Sequence, residues 1–377
     1  MAQHRILILM SNTGAGHRIS AAALQSGFHD RYGSHIHVEI IDLLGDHLPP
    51  PLRHLPGTYP FLSQNVPWLW HGLWRMDMRI AEPISAVAAR AALPSMQRVL
   101  TTYRPDLVIS VHPLVQQITA LALDRLDHSI PFVTVVTDLA TTHPLWFHPG
   151  VARCYVPGPE AWRCARSRGL SPDQLRMLGL PIRPEFAATG SSKHELRRAL
   201  GLADLPVVLL MGGGERKNAA AAKARHLARA LAGDGKPDGQ LVVICGRNRR
   251  LQSVLADERW PVPTLVLGFE ENMALWMQAC DCIVTKAGPG TVAEAMACGL
   301  PLILSGYIPG QEAGNVAYVL ARGMGRYITD PAAIGEQVAA WFGPHSSELS
   351  EMASCARAHA QPHATEQIVA DLAGFLS

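Results

Sequence analysis

Several things are missing from this chain of 377 residues, and each absence removes a class of chemistry. No GKS or GKT follows any glycine-rich stretch, which argues against a Walker-type nucleotidase. No CxxC pair occurs, and the seven cysteines (Cys154, Cys164, Cys245, Cys280, Cys282, Cys298 and Cys355) are scattered and odd in number. They read as small buried hydrophobes in a reducing compartment, not as a zinc site or a disulfide framework. Charge is scarce: 17% of residues are Asp, Glu, Lys or Arg and the net charge is only +2, which excludes a broad nucleic-acid footprint but leaves room for a local basic patch. The longest uncharged runs, Leu107–Leu123 and Ala295–Gln311, fall short of the ~20 apolar residues that span a bilayer. Ile6–Met10 is too short for a signal peptide and no small-residue cleavage site follows it, so export is not expected.

What is present is an alternation of short apolar runs with longer amphipathic stretches, the pattern of α/β units with parallel sheets. The length suits two domains. Strands are expected at Arg5–Met10, His37–Ile41, Leu107–Val111 and Phe132–Thr137, then at Val207–Met211, Leu241–Cys245, Thr264–Leu267, Cys282–Thr285 and Pro301–Leu304. Pro181 and Pro184 fix a semi-rigid boundary between two Rossmann-like halves. The expected division is 1–182, 183–345 and a helical segment 346–377 that packs back on the first domain, with ligand in the cleft between the halves. Residues Leu48–Arg79 break the alternation: the prolines from Pro49 to Pro67 argue against regular helix before Trp68. Trp68, Trp70 and Trp74, with Arg75 and Arg79 beside them, suit either a loop under the domain or a lipid headgroup zone holding anionic phospholipid.

Four glycine-rich stretches follow expected strands, where open sheets bind ligands. In Ser11–His17, Gly14 and Gly16 let backbone N–H groups approach an anion; the third glycine of GxGxxG is missing, and His17 is either a general base or a helix-start residue. Gly212, Gly213 and Gly214 follow Val207–Met211 as a phosphate cradle or a plain turn. Lys286, Gly288, Gly290, Thr291 and Glu294 follow Cys282–Thr285; Glu294, expected in the first helical turn, is placed to accept from ribose hydroxyls, but Thr291 and Glu294 equally fit a capping box. Gln311, Glu312 and Asn315 follow the last strand with the mixed donors and acceptors that sugar hydroxyls need, or as turn chemistry.

The strings LILMSNTGAGHRISAAA, VVTDLATTHPLWFHPGVARCYVP, GLPIRPEF, VICGRNRRL, ACDCIVTKAGPGTVAEA and GLPLILSGYIPGQEAGNVAYV resemble, in order and over nearly the whole chain, the monogalactosyldiacylglycerol synthases. That resemblance implies the two-domain GT-B fold of inverting glycosyltransferases. It implies Phe269 and Met273 near uracil, Gly212–Gly214 and Thr291 near the diphosphate and Glu294 on the ribose, with Gly16, Arg247, Lys286, Gly288 and Gly290 also on the donor side. Gln311, Glu312 and Asn315 then serve the hexose, His17 is the base with Asp138 in the catalytic set, and His143 and Trp146 join the tryptophans of 68–74 on the acceptor or membrane side. Where relatives read Glu-Gly-Met-Gly, this chain has Glu215-Arg216-Lys217-Asn218.

The reaction so implied moves galactose from UDP-galactose to the sn-3 hydroxyl of diacylglycerol, with UDP-glucose as the alternative donor. A UDP-sugar epimerase and a non-catalytic UDP- or lipid-binding module are the more distant readings. No DxD occurs in the chain, in keeping with an enzyme that needs neither metal nor cofactor. The expected location is cytoplasmic, peripheral on the inner face of the cell membrane.

Overall fold

A computed structural model of the chain describes every residue except 1–2, 51, 77, 188–189, 213–218, 234–235 and 377. It divides into two compact units: Met1–Pro184 with Ile308–Gly314 and His363–Ser377, and Glu185–Tyr307 with Asn315–Pro362.

The sheet of the first unit contains β1 (His4–Met10), β2 (Ile36–Asp42), β3 (Leu107–Ser110), β4 (Phe132–Val135), β5 (Arg153–Val156) and β6 (Leu175–Met177), all parallel, in the order β2-β1-β3-β4-β5-β6. Its inner strands β1, β3, β4 and β5 are buried on both faces, so there the two-residue period sorts side chains between two cores and not between core and water. Leu7 and Leu9 join Leu93, Met96 and Leu100. Ile6, Ile8 and Met10 face Leu24 and Phe28, and with them Ile368, Val369 and Leu372 of the helix Ala364–Ala373. That last helix is tied down further, because Asp371 accepts from Arg153 and Tyr155. A methyl on Gly27 would lie 3.0 Å from Thr365 and 3.1 Å from Val369, so the helix α1 (Ala15–Tyr32) and the C-terminal helix touch backbone to side chain.

Between β2 and β3 the prolines do not prevent helices. The chain forms α2 (Leu55–Asn65), α3 (Pro67–Trp74) and α4 (Met78–Tyr103). Pro56 and Pro67 fall in first turns, where the missing N–H has no intrahelical partner to lose. Pro83 and Pro94 sit inside α4, which persists because Ala81, Ala89, Ala92, Leu93, Met96, Val99 and Leu100 bury one face of it. The other face leaves Ile80, Ile84 and Val87 exposed at i, i+4 and i+7.

The second unit repeats the plan with β7 (Val207–Met211), β8 (Gln240–Ile244), β9 (Thr264–Leu267), β10 (Cys282–Thr285), β11 (Leu302–Leu304) and β12 (Gly325–Tyr327), ordered β12-β11-β10-β7-β8-β9. Val208, Leu210, Leu241 and Val243 pack on Ala220, Ala224 and Leu227 of the helix Ala219–Ala230 and on Trp341. The nine strands expected from sequence are all present within a residue or two of their expected ends. β5, β6 and β12 were not expected: they are three or four residues long and carry Arg, Met or Gly in place of a β-branched run.

Candidate functional site

In a doubly wound parallel sheet the crevice opens where the strand order reverses. In the first unit that point lies between β1 and β3, and the loops leaving these two strands bring together two histidines far apart in sequence. The loop after β1 is pinned by Asp42 at the end of β2, whose carboxylate accepts from Asn12 N–H at 3.2 Å and from Gly45 N–H at 2.8 Å. Helix α1 then starts with Gly14 as an extended N-cap, which puts His17 in its first turn.

His17 Nδ1 lies 2.9 Å from the Val111 carbonyl and 2.8 Å from Thr137 Oγ1. A carbonyl only accepts, so Nδ1 carries the proton and the lone pair is left on Nε2. Burial lowers the His17 pKa to about 4, opposed in part by the bond to Val111, so the ring is neutral at physiological pH. His112 packs against it edge to face, with ring centroids 4.5 Å apart. Burial, and then the proximity of His17, push the His112 pKa well down.

A second cluster adjoins the first. Asp138 is buried and accepts from the indole of Trp146 at 2.6 Å. Burial raises its pKa to about 7; hydrogen bonds from Trp146 and Gln311 oppose the rise and the Glu312 carboxylate adds to it. Gln311 and Glu312 reach this place because Ile308–Gly314 belongs to the first unit. Glu312 accepts from the Ile308 N–H at 2.9 Å, and the Gly314 N–H donates to Thr141 Oγ1 at 2.9 Å. Gly310 has φ +82°, and a Cβ there would meet Trp74 at 2.7 Å, so only glycine lets this turn lie on that indole.

The two clusters share one cavity of about 210 Å³. Thr13, His17, His112, Asp138, His143 and Gln311 form its polar part, while Trp70, Leu73, Trp74, Met76, Leu114 and Leu145 make the rest of the wall apolar. His143 lies under Trp74, ring centroids 5.0 Å apart, and is bonded to the Trp74 backbone. Burial lowers its pKa too. The aromatic set expected from sequence therefore separates. Trp70 and Trp74 line the cavity, and Trp68 points outward with 75% of its surface exposed. Trp146 is fully enclosed, which rules it out as a membrane contact; its indole serves Asp138. Thr13, Thr137 and His112 were not singled out in the sequence. Thr13 and Thr137 lie within the strings quoted above without being picked out from them, no motif marks His112, and the sheet order β1-β3-β4 puts the loops carrying His112 and Thr137 next to His17.

Of the donor-side set, Gly16, Gln311 and Glu312 belong to the first unit, and the rest of the described members follow strands of the second sheet. Its reversal lies between β7 and β10, flanked by Gly212 on one side and Lys286–Thr291 on the other. Gly213 and Gly214, with the departure at 215–218, lie outside the described residues. Gly212 has a packing duty of its own, since a Cβ there would be 2.5 Å from Ala220 Cβ. After β10 the helix Pro289–Ala297 starts with Gly288 as N-cap, so Thr291 and Glu294 do not form a capping box. Pro289, preset for a first helical position, starts the helix earlier than the Thr-x-x-Glu pattern suggests and moves the buried Glu294 into the second turn. Gly290 lies in the first turn, with nothing within 4 Å of a would-be Cβ. Arg247 stacks over the exposed ring of Phe269 at 5.2 Å, and Met273 begins the next helix. Asn315 is buried and donates to the Ala287 carbonyl at 2.8 Å, tying the β11 side to the loop after β10. Among the described residues no group of three or more His, Cys, Asp or Glu is arranged to hold a metal ion.

The family model for monogalactosyldiacylglycerol (MGDG) synthase matches residues 17–182, and that for the glycosyltransferase family 28 C-terminal domain matches 207–368. The chloroplastic monogalactosyldiacylglycerol synthase of Spinacia oleracea is 46% identical over 98% of this chain and 72% of its own length. Among solved structures, MurG of Acinetobacter baumannii superposes with a TM-score of 0.60 at 19% identity, covering 99% of this chain and 100% of its own. UDP-GlcNAc 2-epimerase from Neisseria meningitidis does so with 0.59 at 13%, covering 98% and 100%. At such identities the structures speak for the fold alone.

Proposed function

Since the chain belongs to the monogalactosyldiacylglycerol synthase family, we propose that it moves galactose from UDP-galactose to the sn-3 hydroxyl of 1,2-diacylglycerol with inversion at the anomeric carbon. The observation that carries this reading is a neutral imidazole, its tautomer set by a backbone carbonyl, in the wall of a mostly apolar cavity. The glycerol end of an alcohol with two acyl chains suits such a place: the hydroxyl meets His17 Nε2, and the first carbons of the chains meet Trp70, Leu73, Trp74 and Met76.

In a single displacement the acceptor oxygen bonds to C1 as the C1–O bond to UDP breaks, and the hydroxyl proton goes to Nε2. A ring held at a pKa of about 4 is a weak base toward water, so it takes the proton only as the attacking oxygen gains bond order and becomes acidic. The diphosphate is assigned to the strand ends beside Gly212 and Lys286 and to the N-terminus of Pro289–Ala297, whose amides and partial positive charge favour an anion without requiring a metal. Phe269 and Arg247 are assigned to uracil, Glu294 to the ribose, and Gln311 and Glu312 to the hexose.

No helix among the described residues is long and apolar enough to cross a membrane. Phe61, Trp68, Leu69, Ile80, Ile84 and Val87 nevertheless expose apolar surface on α2–α4, and we assign that face to peripheral contact with the bilayer, on the inner face of the cell membrane. The relative from spinach is named chloroplastic, and fractionation of the source cells decides the compartment.

The test is galactolipid formation from diacylglycerol in mixed micelles, with UDP-galactose and UDP-glucose compared and EDTA added in parallel. H17A is expected to retain UDP affinity by calorimetry and to lose at least 99% of turnover, in line with the ~10²–10⁴-fold typical of a general base. More than a tenth of the wild-type rate in H17A would remove His17 from that role.

A further inference from the structure

Two hydrogen-bond chains in the first unit have their direction set by backbone groups that can play only one part. The Val111 carbonyl only accepts, which puts the proton of His17 on Nδ1 and leaves Nε2 basic. Three residues further on, the Leu114 N–H only donates, and it lies 3.3 Å from His112 Nδ1. His112 is therefore the opposite tautomer, with its proton on Nε2. That nitrogen is 3.0 Å from Thr13 Oγ1, so the threonine oxygen accepts there and its own O–H remains to be given elsewhere. Thr13 lines the same cavity as His17. Asp138 is engaged with Gln311 and Trp146, and His143 with the Trp74 backbone. The cavity thus offers a substrate an acceptor, His17 Nε2, and an oriented donor, the Thr13 hydroxyl.

A bare long-chain alcohol would use only the first. An alcohol with an ester next to it uses both, its O–H on His17 and its carbonyl oxygen on Thr13. We propose that Thr13, oriented by His112, is a specificity-determining residue that donates to the ester carbonyl beside the attacking hydroxyl and so selects ester-linked over ether-linked glycerolipids. This rests on the reading of the cavity as the acceptor site. An ether at the same position lacks the carbonyl and leaves the donor unanswered, at a cost of about tenfold for one neutral hydrogen bond.

The experiment measures kcat/KM of the full chain in mixed micelles with a 1,2-diacylglycerol and with the dialkyl ether of equal chain length, for wild type, T13V and T13S. Wild type is expected to favour the ester about tenfold. T13V should bring that ratio toward one by losing rate on the ester, T13S should restore it, and melting temperatures should stay together. A wild type that does not distinguish the two lipids, or a T13V that loses equally on both, overturns the proposal. Failure of wild type to glycosylate either lipid instead overturns the functional reading, and this proposal with it.

Discussion

Replacing Asp138 with asparagine keeps the shape of the side chain and its bond from the Trp146 indole while removing a titration. Burial lifts this carboxyl from 3.8 to about 7, and at roughly 1.4 kcal/mol per pKa unit the difference amounts to about 4 kcal/mol. The folded form holds the proton more tightly than the unfolded chain. The associated stability is therefore complete below pH 3.8, declines as pH rises, and is gone above about pH 7. Part of the decline has already occurred by pH 5, so between pH 5 and 8 the wild type is expected to lose roughly 3 kcal/mol that D138N does not. His17, His112 and His143, whose lowered values weaken folding as pH falls below 6.5, stand in both proteins and cancel in the comparison. Urea unfolding followed by tryptophan fluorescence at pH 5, 6, 7 and 8 gives the two curves. Parallel curves would mean that Asp138 ionises without penalty and would refute the account of its surroundings.

Two further outcomes are expected. G16A adds a methyl where the fold leaves nothing within 4 Å, so it should melt no lower than wild type, and alanine is better in a helix by up to ~1 kcal/mol. On the proposal that Gly16 serves the donor, its turnover should nonetheless fall at least tenfold, the methyl taking up space at the first turn of α1; unchanged turnover would free Gly16 from any part in binding. I84D with V87D places two carboxylates on the exposed stripe of α4, far from any core contact, and should abolish flotation with liposomes while leaving the melting temperature within a degree or two. Undiminished flotation would move the membrane face elsewhere.

The legible parts of this chain are those written in local pattern. Ile6–Met10 and Val207–Met211 are apolar runs of strand length followed by glycine-rich turns, which read as buried strands, and the ordered strings around them identify the family without any coordinates. The illegible parts depend on position within an element. The prolines of 48–79 argue against helix until it is known that Pro56 and Pro67 begin helices, and Thr291 with Glu294 imitates a cap that Gly288 and Pro289 have already supplied. Trp146 looks like its neighbours at 68–74 in sequence, yet it is sealed beneath Asp138.

By itself the sequence determined two parallel α/β halves, the family, and His17 as the residue to examine, because hydrophobic period and glycine spacing are properties of neighbours along the chain. Only the tertiary structure decided what surrounds that histidine. β1 lies beside β3 although close to a hundred residues separate them, with Ile6 paired to Leu107, so Val111, His112 and Leu114 set its tautomer and its companion. The turn Ile308–Gly314 packs with the first unit, so of the two residues assigned to the hexose Gln311 hydrogen-bonds Asp138 and Glu312 acts on it through its charge. Such pairings depend on distances through space between residues remote in the chain, and no local pattern records them.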